Sequence, residues 1–166
     1  MSTDPKHIRN VVLLGHSHCG KTSMIEAMLY ESKAITRRGT VEAGNTVSDF
    51  SDIEQERRGS LFSKLMHVNW KESKINIVDT PGSDDFVGEI LSSMKVSDLG
   101  IMVLNAAHGV EVGTELIWEY KEKFQLPGMF VINQCDHEKA DFDSTLEQAI
   151  SRFGPKLIPF QYPLNP

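Results

Sequence analysis

Residues 15 to 22 read Gly15-His16-Ser17-His18-Cys19-Gly20-Lys21-Thr22, the spacing G-x-x-x-x-G-K-[ST]. This string constrains the fold more than anything else in the chain. Its glycines let the backbone curl until successive N–H groups point inward at one anion, and the structure that does so is a loop leaving a strand and entering a helix. Both neighbours are present. Ile8 to Leu14 is a β-branched apolar run ending at Gly15, and Met24, Ile25, Met28 and Leu29 recur at helical spacing within Lys21 to Tyr30. The positive N-terminal end of that helix favours a phosphate at the same place. Lys21 then reaches the β- and γ-phosphates of a nucleoside triphosphate, and the Thr22 hydroxyl is placed to ligate Mg²⁺. The backbone of His16, Ser17, His18, Cys19, Gly20 and Ser23 completes the expected phosphate-contacting set. As side chains, His16 and His18 read as filler on the outside of the loop. Two imidazoles without a Cys or carboxylate at ligand spacing make a poor zinc site. Cys19 reads as a tolerated small residue.

Downstream, apolar runs alternate with helical patterns. Strands are expected at Leu61 to Trp70, Lys74 to Asp79, Leu99 to Leu104 and Met129 to Ile132. Helices are expected from Pro81-Gly82 to about Val96, from Thr114 to Phe124 and from Phe142 to Phe153, with a last extended segment at Leu157 to Phe160. Residues 36 to 60 carry little apolar periodicity and read as a long loop, which inside a compact domain is functional or disordered. The alternation predicts one α/β domain with a mostly parallel sheet covered by helices on both faces. Such sheets bind ligands at the carboxyl ends of their strands, where the phosphate loop lies.

Two further motifs follow strands. Asp79-Thr80-Pro81-Gly82 puts a carboxylate at a strand tip, where Asp79 can hold Mg²⁺ opposite Thr22 and the Gly82 N–H can meet a γ-phosphate. Asn133-Gln134-Cys135-Asp136 stands where guanine-specific proteins carry N-K-x-D. A carboxylate at Asp136 accepts from the N1–H and 2-amino group of guanine, a donor pair that adenine lacks, so the motif selects GTP and GDP over ATP. Three motifs in this order, each at a strand end, leave little room for coincidence.

With these residues in hand, the chain resembles the translational GTPases, and most nearly the G domain of elongation factor G. The resemblance covers nearly the whole chain. It includes Gly39-Thr40-Val41-Glu42-Ala43-Gly44, Asp49-Phe50, Glu54-Gln55-Glu56-Arg57, Asp79 to Phe86 with Gly88-Glu89, and Gly109-Val110-Glu111 with Thr114-Glu115. The Gly-Thr-Val-Glu-x-Gly start and the Asp-Phe-Val-Gly-Glu-Ile helix are similar to the second-type paralogues. The resemblance implies a Ras-like P-loop GTPase fold, with residues 36 to 60 as switch I and residues 79 to about 96 as switch II. It implies GTP/GDP and Mg²⁺ as cofactors, with Thr22, Ser60 and Asp79 at the metal, and the ribosome as partner of the full-length protein. The tail from Leu157 is similar to the segment before the family's domain insert. The expectation is therefore a longer natural protein and a chain that stops before the last guanine-contacting strand, with weakened nucleotide affinity.

Departures from the family pattern carry their own implications. Ser83 stands where housekeeping members have the histidine that positions the attacking water, and loss of such a group costs roughly 10²–10⁴-fold in rate. Lys21 and Ser83 are thus the candidate catalytic positions of a GTP hydrolase expected to be slow. Gln134 replaces the lysine whose stem covers the base. An alternative remains a guanine-nucleotide-binding ribosome factor with little or no hydrolysis, while an ATPase is disfavoured by Asn133 and Asp136. A net charge of −6 argues against a basic nucleic-acid-binding surface, so no direct DNA binding is expected. No apolar run approaches the ~20 residues of a membrane span. The N-terminus lacks a signal pattern, and two cysteines do not make a disulfide scaffold. The expected location is the cytoplasm.

Overall fold

Alternation along the first strand sets up two cores. Val12 and Leu14 point to one face of the sheet and Leu13 to the other, and all three are fully buried. The computed structural model describes residues 4–164. Five strands form one sheet in the order β2-β3-β1-β4-β5. These are β1 (Ile8–Leu14), β2 (Lys64–Trp70), β3 (Ser73–Asp79), β4 (Leu99–Asn105) and β5 (Gly128–Asn133). The pairs β1–β3, β1–β4 and β4–β5 are parallel, and β2 joins β3 as an antiparallel edge.

On one face, helix α1 (Lys21–Glu31) packs Ile25 and Leu29 against Leu13, Ile77, Ile101, Val103 and Met66. On the other, Ile90 and Met94 of α3 (Val87–Lys95) and Ile117 of α4 (Val112–Lys123) cover Val12, Leu14, Val78 and Met102. Helix α5 (Phe142–Phe153) closes this face at the β5 edge, where Phe153 stacks on Phe130 at 5.0 Å and lies 4.9 Å from Trp118. The α/β architecture is the one the alternation predicts. All parallel strands end on the same side, which brings Gly15, Asp79, Asn105 and Asn133 to one rim.

Two local expectations change. Residues 36 to 60 are not loop throughout, because Asp52–Arg57 forms the short helix α2. At its start Ser51 Oγ donates to Glu54 Oε2 at 2.7 Å, tying the N-cap residue to the third residue of the helix. The second strand begins at Lys64 rather than Leu61, since the N–H groups of Leu61 and Phe62 are taken by Glu54 Oε1 instead of the ladder. The segment Leu157 to Phe160, expected to be extended, joins no ladder of the sheet. Pro159 removes a ladder donor, Ile158 and Phe160 are exposed, and the tail is pinned through Tyr162, whose hydroxyl donates to Asp143 at 2.6 Å.

Leu13→Ala removes a fully buried side chain from the central strand and is expected to cost about 2–5 kcal/mol in chemical denaturation. Val112→Ala, at a position 81% exposed, is expected to stay within about 0.5 kcal/mol of the parent. Equal losses at the two positions would contradict the assignment of the core.

Candidate functional site

The loop between β1 and α1 is drawn around its own lysine. Lys21 is buried, and its Nζ donates to the carbonyl oxygens of Gly15 at 2.8 Å and His16 at 2.9 Å, with Cys19 Sγ at 3.9 Å. Gly20 turns the chain into the helix at φ +93°, and a β-carbon there would collide with the Asn133 amide. Gly82 brings the Asp79-Thr80-Pro81-Gly82 turn against the loop. A β-carbon on it would lie 2.6 Å from both Lys21 Nζ and Ser17 N, so no larger residue fits this approach unless one side moves. Thr80 secures the turn by donating its hydroxyl to Leu13 O at 2.6 Å.

Asp79, at the end of β3, is wholly buried. Its Oδ2 accepts from Thr22 Oγ1 at 2.8 Å and from Ser48 Oγ at 2.6 Å, while its Oδ1 has no partner. Asp49 repeats the pattern nearby. Its Oδ1 accepts from Ser60 Oγ at 2.8 Å and its buried Oδ2 is unpartnered. Ser60 Oγ in turn lies 3.3 Å from Thr22 Oγ1. Burial pushes the Asp79 carboxyl above its ordinary range, and Asp49 adds to the rise, against the lowering effects of Ser48, Thr22 and Lys21. Two buried carboxylate oxygens without donors, set among three hydroxyls, are an arrangement that a cation relieves. Among the described residues no group of three His, Cys, Asp or Glu side chains gathers as a metal site. The donor set is hard oxygen only and suits a divalent ion that keeps water and shares phosphate oxygens.

Residues 39–61 are held over this site by two buried glutamates. Glu26 of α1 accepts from Gly39 N at 2.9 Å and from Val47 N. Glu54 of α2 accepts from Ser51, Leu61 and Phe62, and pairs with Lys64 of β2. The resulting cleft of about 350 Å³ is lined by Lys21, Thr22, Asp49, Ser60, Gly82, Ser83 and Gln134, among others.

At the β5 end, Asn133 donates to Cys19 O at 2.9 Å and Gln134 Nε2 donates to His18 O at 3.1 Å. Asn105, at the tip of β4, donates to Gln134 Oε1 at 2.6 Å and sets that amide. Asp136 is exposed just beyond. Thus Lys21, Thr22, Ser60, Asp79, Gly82, Asn133 and Gln134 meet at one rim. Ser83 lines the cleft, yet its hydroxyl is engaged locally, 3.3 Å from Asp85 Oδ2 and accepting from Asp85 N at 3.4 Å. His18 is exposed, whereas His16 is no outward filler: its Nε2 lies 3.6 Å from Glu111 and its Nδ1 is buried without a partner. Burial pushes the Cys19 thiol up despite nearby Lys21, which fits a packing residue rather than a reactive one. Sequence reasoning assigned no site role to Glu26, Ser48, Asp49, Glu54, Lys64 or Asn105. The Ser51-x-x-Glu54 capping signature was the one legible sign of order there.

Burial raises the Glu54 carboxyl, but hydrogen bonds from Lys64, Leu61 N–H and Ser51, with the charge of Lys64, outweigh it and lower the pKa from 4.5 to about 2. The folded-state value lies below the unfolded one, so this group's contribution is complete above pH 4.5 and is lost as pH falls towards 2. The stability difference between the parent and Glu54→Gln, read from urea midpoints, is therefore expected to be largest above pH 4.5 and to shrink below it. A difference that stays constant with pH would refute the ion pair.

Three comparisons bear on this geometry. Residues 6–161 match the family described as the elongation factor Tu GTP binding domain. The chain is 38% identical over 160 residues to the mitochondrial ribosome-releasing factor 2 of Anopheles gambiae, covering 96% of this chain and 22% of that protein. It is 34% identical over 158 residues to elongation factor G 2 of Borreliella afzelii (strain PKo), covering 95% and 24%. A solved structure from Thermus thermophilus superposes with a TM-score of 0.86 at 36% identity, over 90% of this chain and 22% of that one. The chain thus spans about a quarter or less of the length of these relatives. A match over nearly all of its residues places the chain in the elongation factor Tu GTP-binding-domain family.

Proposed function

We propose that this chain is the GTP-binding and GTP-hydrolysing unit of a ribosome-associated factor of the elongation factor G type, with intrinsically slow hydrolysis. The observation that carries the reading is the convergence of Lys21, Thr22 and the unpartnered oxygens of Asp79 and Asp49 on one rim beside the phosphate loop. Relatives called elongation factor G 2 and ribosome-releasing factor 2 support the translational setting.

Each residue has a role in this reading. Loop N–H groups and Lys21 hold the β- and γ-phosphates, with the lysine leaving the Gly15 and His16 carbonyls to do so. Thr22, Ser60 and Asp79 would hold Mg²⁺, with Asp49 beside them. When bound, that ion neutralises charge on the β- and γ-phosphate oxygens. Gly82, laid against the loop, brings its N–H to the γ-phosphate end. Asn133 and Gln134 brace the loop from β5, and Asp136 accepts from the guanine edge. The waiting position for water is the weak point. Ser83 is short and engaged with Asp85, so it neither reaches nor orients a nucleophile as an imidazole does. That same observation favours a second reading, a factor that acts through nucleotide binding with no useful hydrolysis.

Multiple-turnover phosphate release from GTP with ribosomes separates the two. Ser83→His in the full-length protein is expected to raise turnover by roughly 10²-fold or more over a slow but measurable wild type. A wild type already as fast as the histidine variant would overturn the slow-hydrolysis reading. Silence from both would favour the binding factor.

A further inference from the structure

Lys64 is the first residue of β2 and stands opposite Asp79 in the β2–β3 ladder. Its side chain is 10% exposed, between the carboxylates of Glu54, wholly buried, and Asp49, 5% exposed and 3.4 Å away. Its Nζ also sits 5.4 Å from the centre of the Phe50 ring. One ammonium therefore touches three residues of the 39–61 segment from a strand outside it. Through Glu54 it secures the Leu61 and Phe62 amides, and through Asp49 it reaches Ser60 and then Thr22. A buried lysine shared by two carboxylates is held by their combined charge, and removing it leaves two buried anions to repel each other.

We propose that Lys64 is a positioning residue of the nucleotide site, a latch that holds residues 39–61 over the phosphate loop and sets Asp49 and Ser60 at its metal side. The proposal rests on the nucleotide and metal reading above, but its mechanical part stands apart from it. Glu26 anchors the segment's N-terminal half on α1 through Gly39 and Val47. Lys64 anchors the C-terminal half, where Asp49 and Ser60 lie. Release of Lys64 therefore frees the half that carries the oxygen donors while the other half stays attached.

Two readouts on the full chain test this. In hydrogen exchange, Lys64→Met is expected to speed exchange of the Leu61 and Phe62 amides at least about tenfold, with the β1 and β4 amides unchanged and Lys64→Arg keeping the protection. Unchanged exchange at Leu61 and Phe62 overturns the latch. Where Lys64→Met exposes β1 as well, the double variant Lys64→Met/Glu54→Gln, which buries no unpaired glutamate, carries the same comparison. The second readout is the Mg²⁺ concentration that half-maximally retains fluorescent GDP. The latch requires it to rise, by about tenfold on the scale of such coupled sites. A pure charge effect acts the other way, because taking a cation from beside Asp49 strengthens Mg²⁺ attraction. A constant or lowered Mg²⁺ requirement therefore overturns the positioning role. A full-length wild type that retains no GDP refutes the nucleotide reading, and the exchange result then decides the latch alone.

Discussion

Everything around the site is arranged about the carboxylate of Asp79. It sits at the tip of β3, fully buried, and its two accepted hydrogen bonds come from different parts of the chain. Thr22 belongs to α1 and Ser48 to the 39–61 segment, so one side chain joins sheet, helix and overlying loop. Such burial of a carboxylate is costly unless its oxygens are satisfied, and Oδ1 is not. The cost is sustained by the rest of the fold, since β3 is flanked by β1 and β2 and cannot shift its end outwards. A rigid sheet thereby keeps an electron-rich, partly unsatisfied group fixed at the strand tip.

The same logic explains the density of buried charge nearby. Asp49, Glu54 and Glu26 are all within the protein, and each is fastened to backbone N–H groups, hydroxyls or Lys64 rather than to bulk water. These contacts give the 39–61 segment its shape without much apolar burial. Phe50 and Ile53 remain exposed, 70% and 60%, so the segment is not held as a small hydrophobic core. Polar fastening of this kind is more easily exchanged for other partners than apolar packing is.

Much of the sheet was legible because its signals are local. Ile8–Leu14 and Phe142–Phe153 coincide with their apolar periodicity, and the phosphate loop and the Asp79 turn announce their place at strand ends. The 36–60 region failed for a physical reason. Its order comes from Glu26, Asp49, Glu54 and Lys64 acting across the fold, and pairings between distant residues leave no periodic trace. Helix α2 had one local sign, Ser51 three residues before Glu54, too short a pattern to stand against a background of glycine and serine. At the far end, Ile158 and Phe160 belong to a segment expected to be extended; they join no ladder and stay exposed.

Gln134 shows how a departure from the family's motif is absorbed. The resemblance puts a lysine at this position, its stem expected to cover the base, and a neutral amide removes its positive charge. Yet the amide both donates and accepts, whereas an ammonium only donates. The donor goes to His18 O, and the acceptor takes a bond from Asn105 at the tip of β4. With Asn133 bonded to Cys19 O, two successive carbonyls of the phosphate loop are tied to β5, and β5 is tied to β4. His18 itself lies at φ +63° and Gln134 at +59°, conformations that non-glycine residues hold only when surrounding bonds enforce them. The loop's curvature therefore depends on this amide bridge and not on its glycines alone. At this end the phosphate loop is braced by the neutral amides of Asn105, Asn133 and Gln134 and not by a charged side chain.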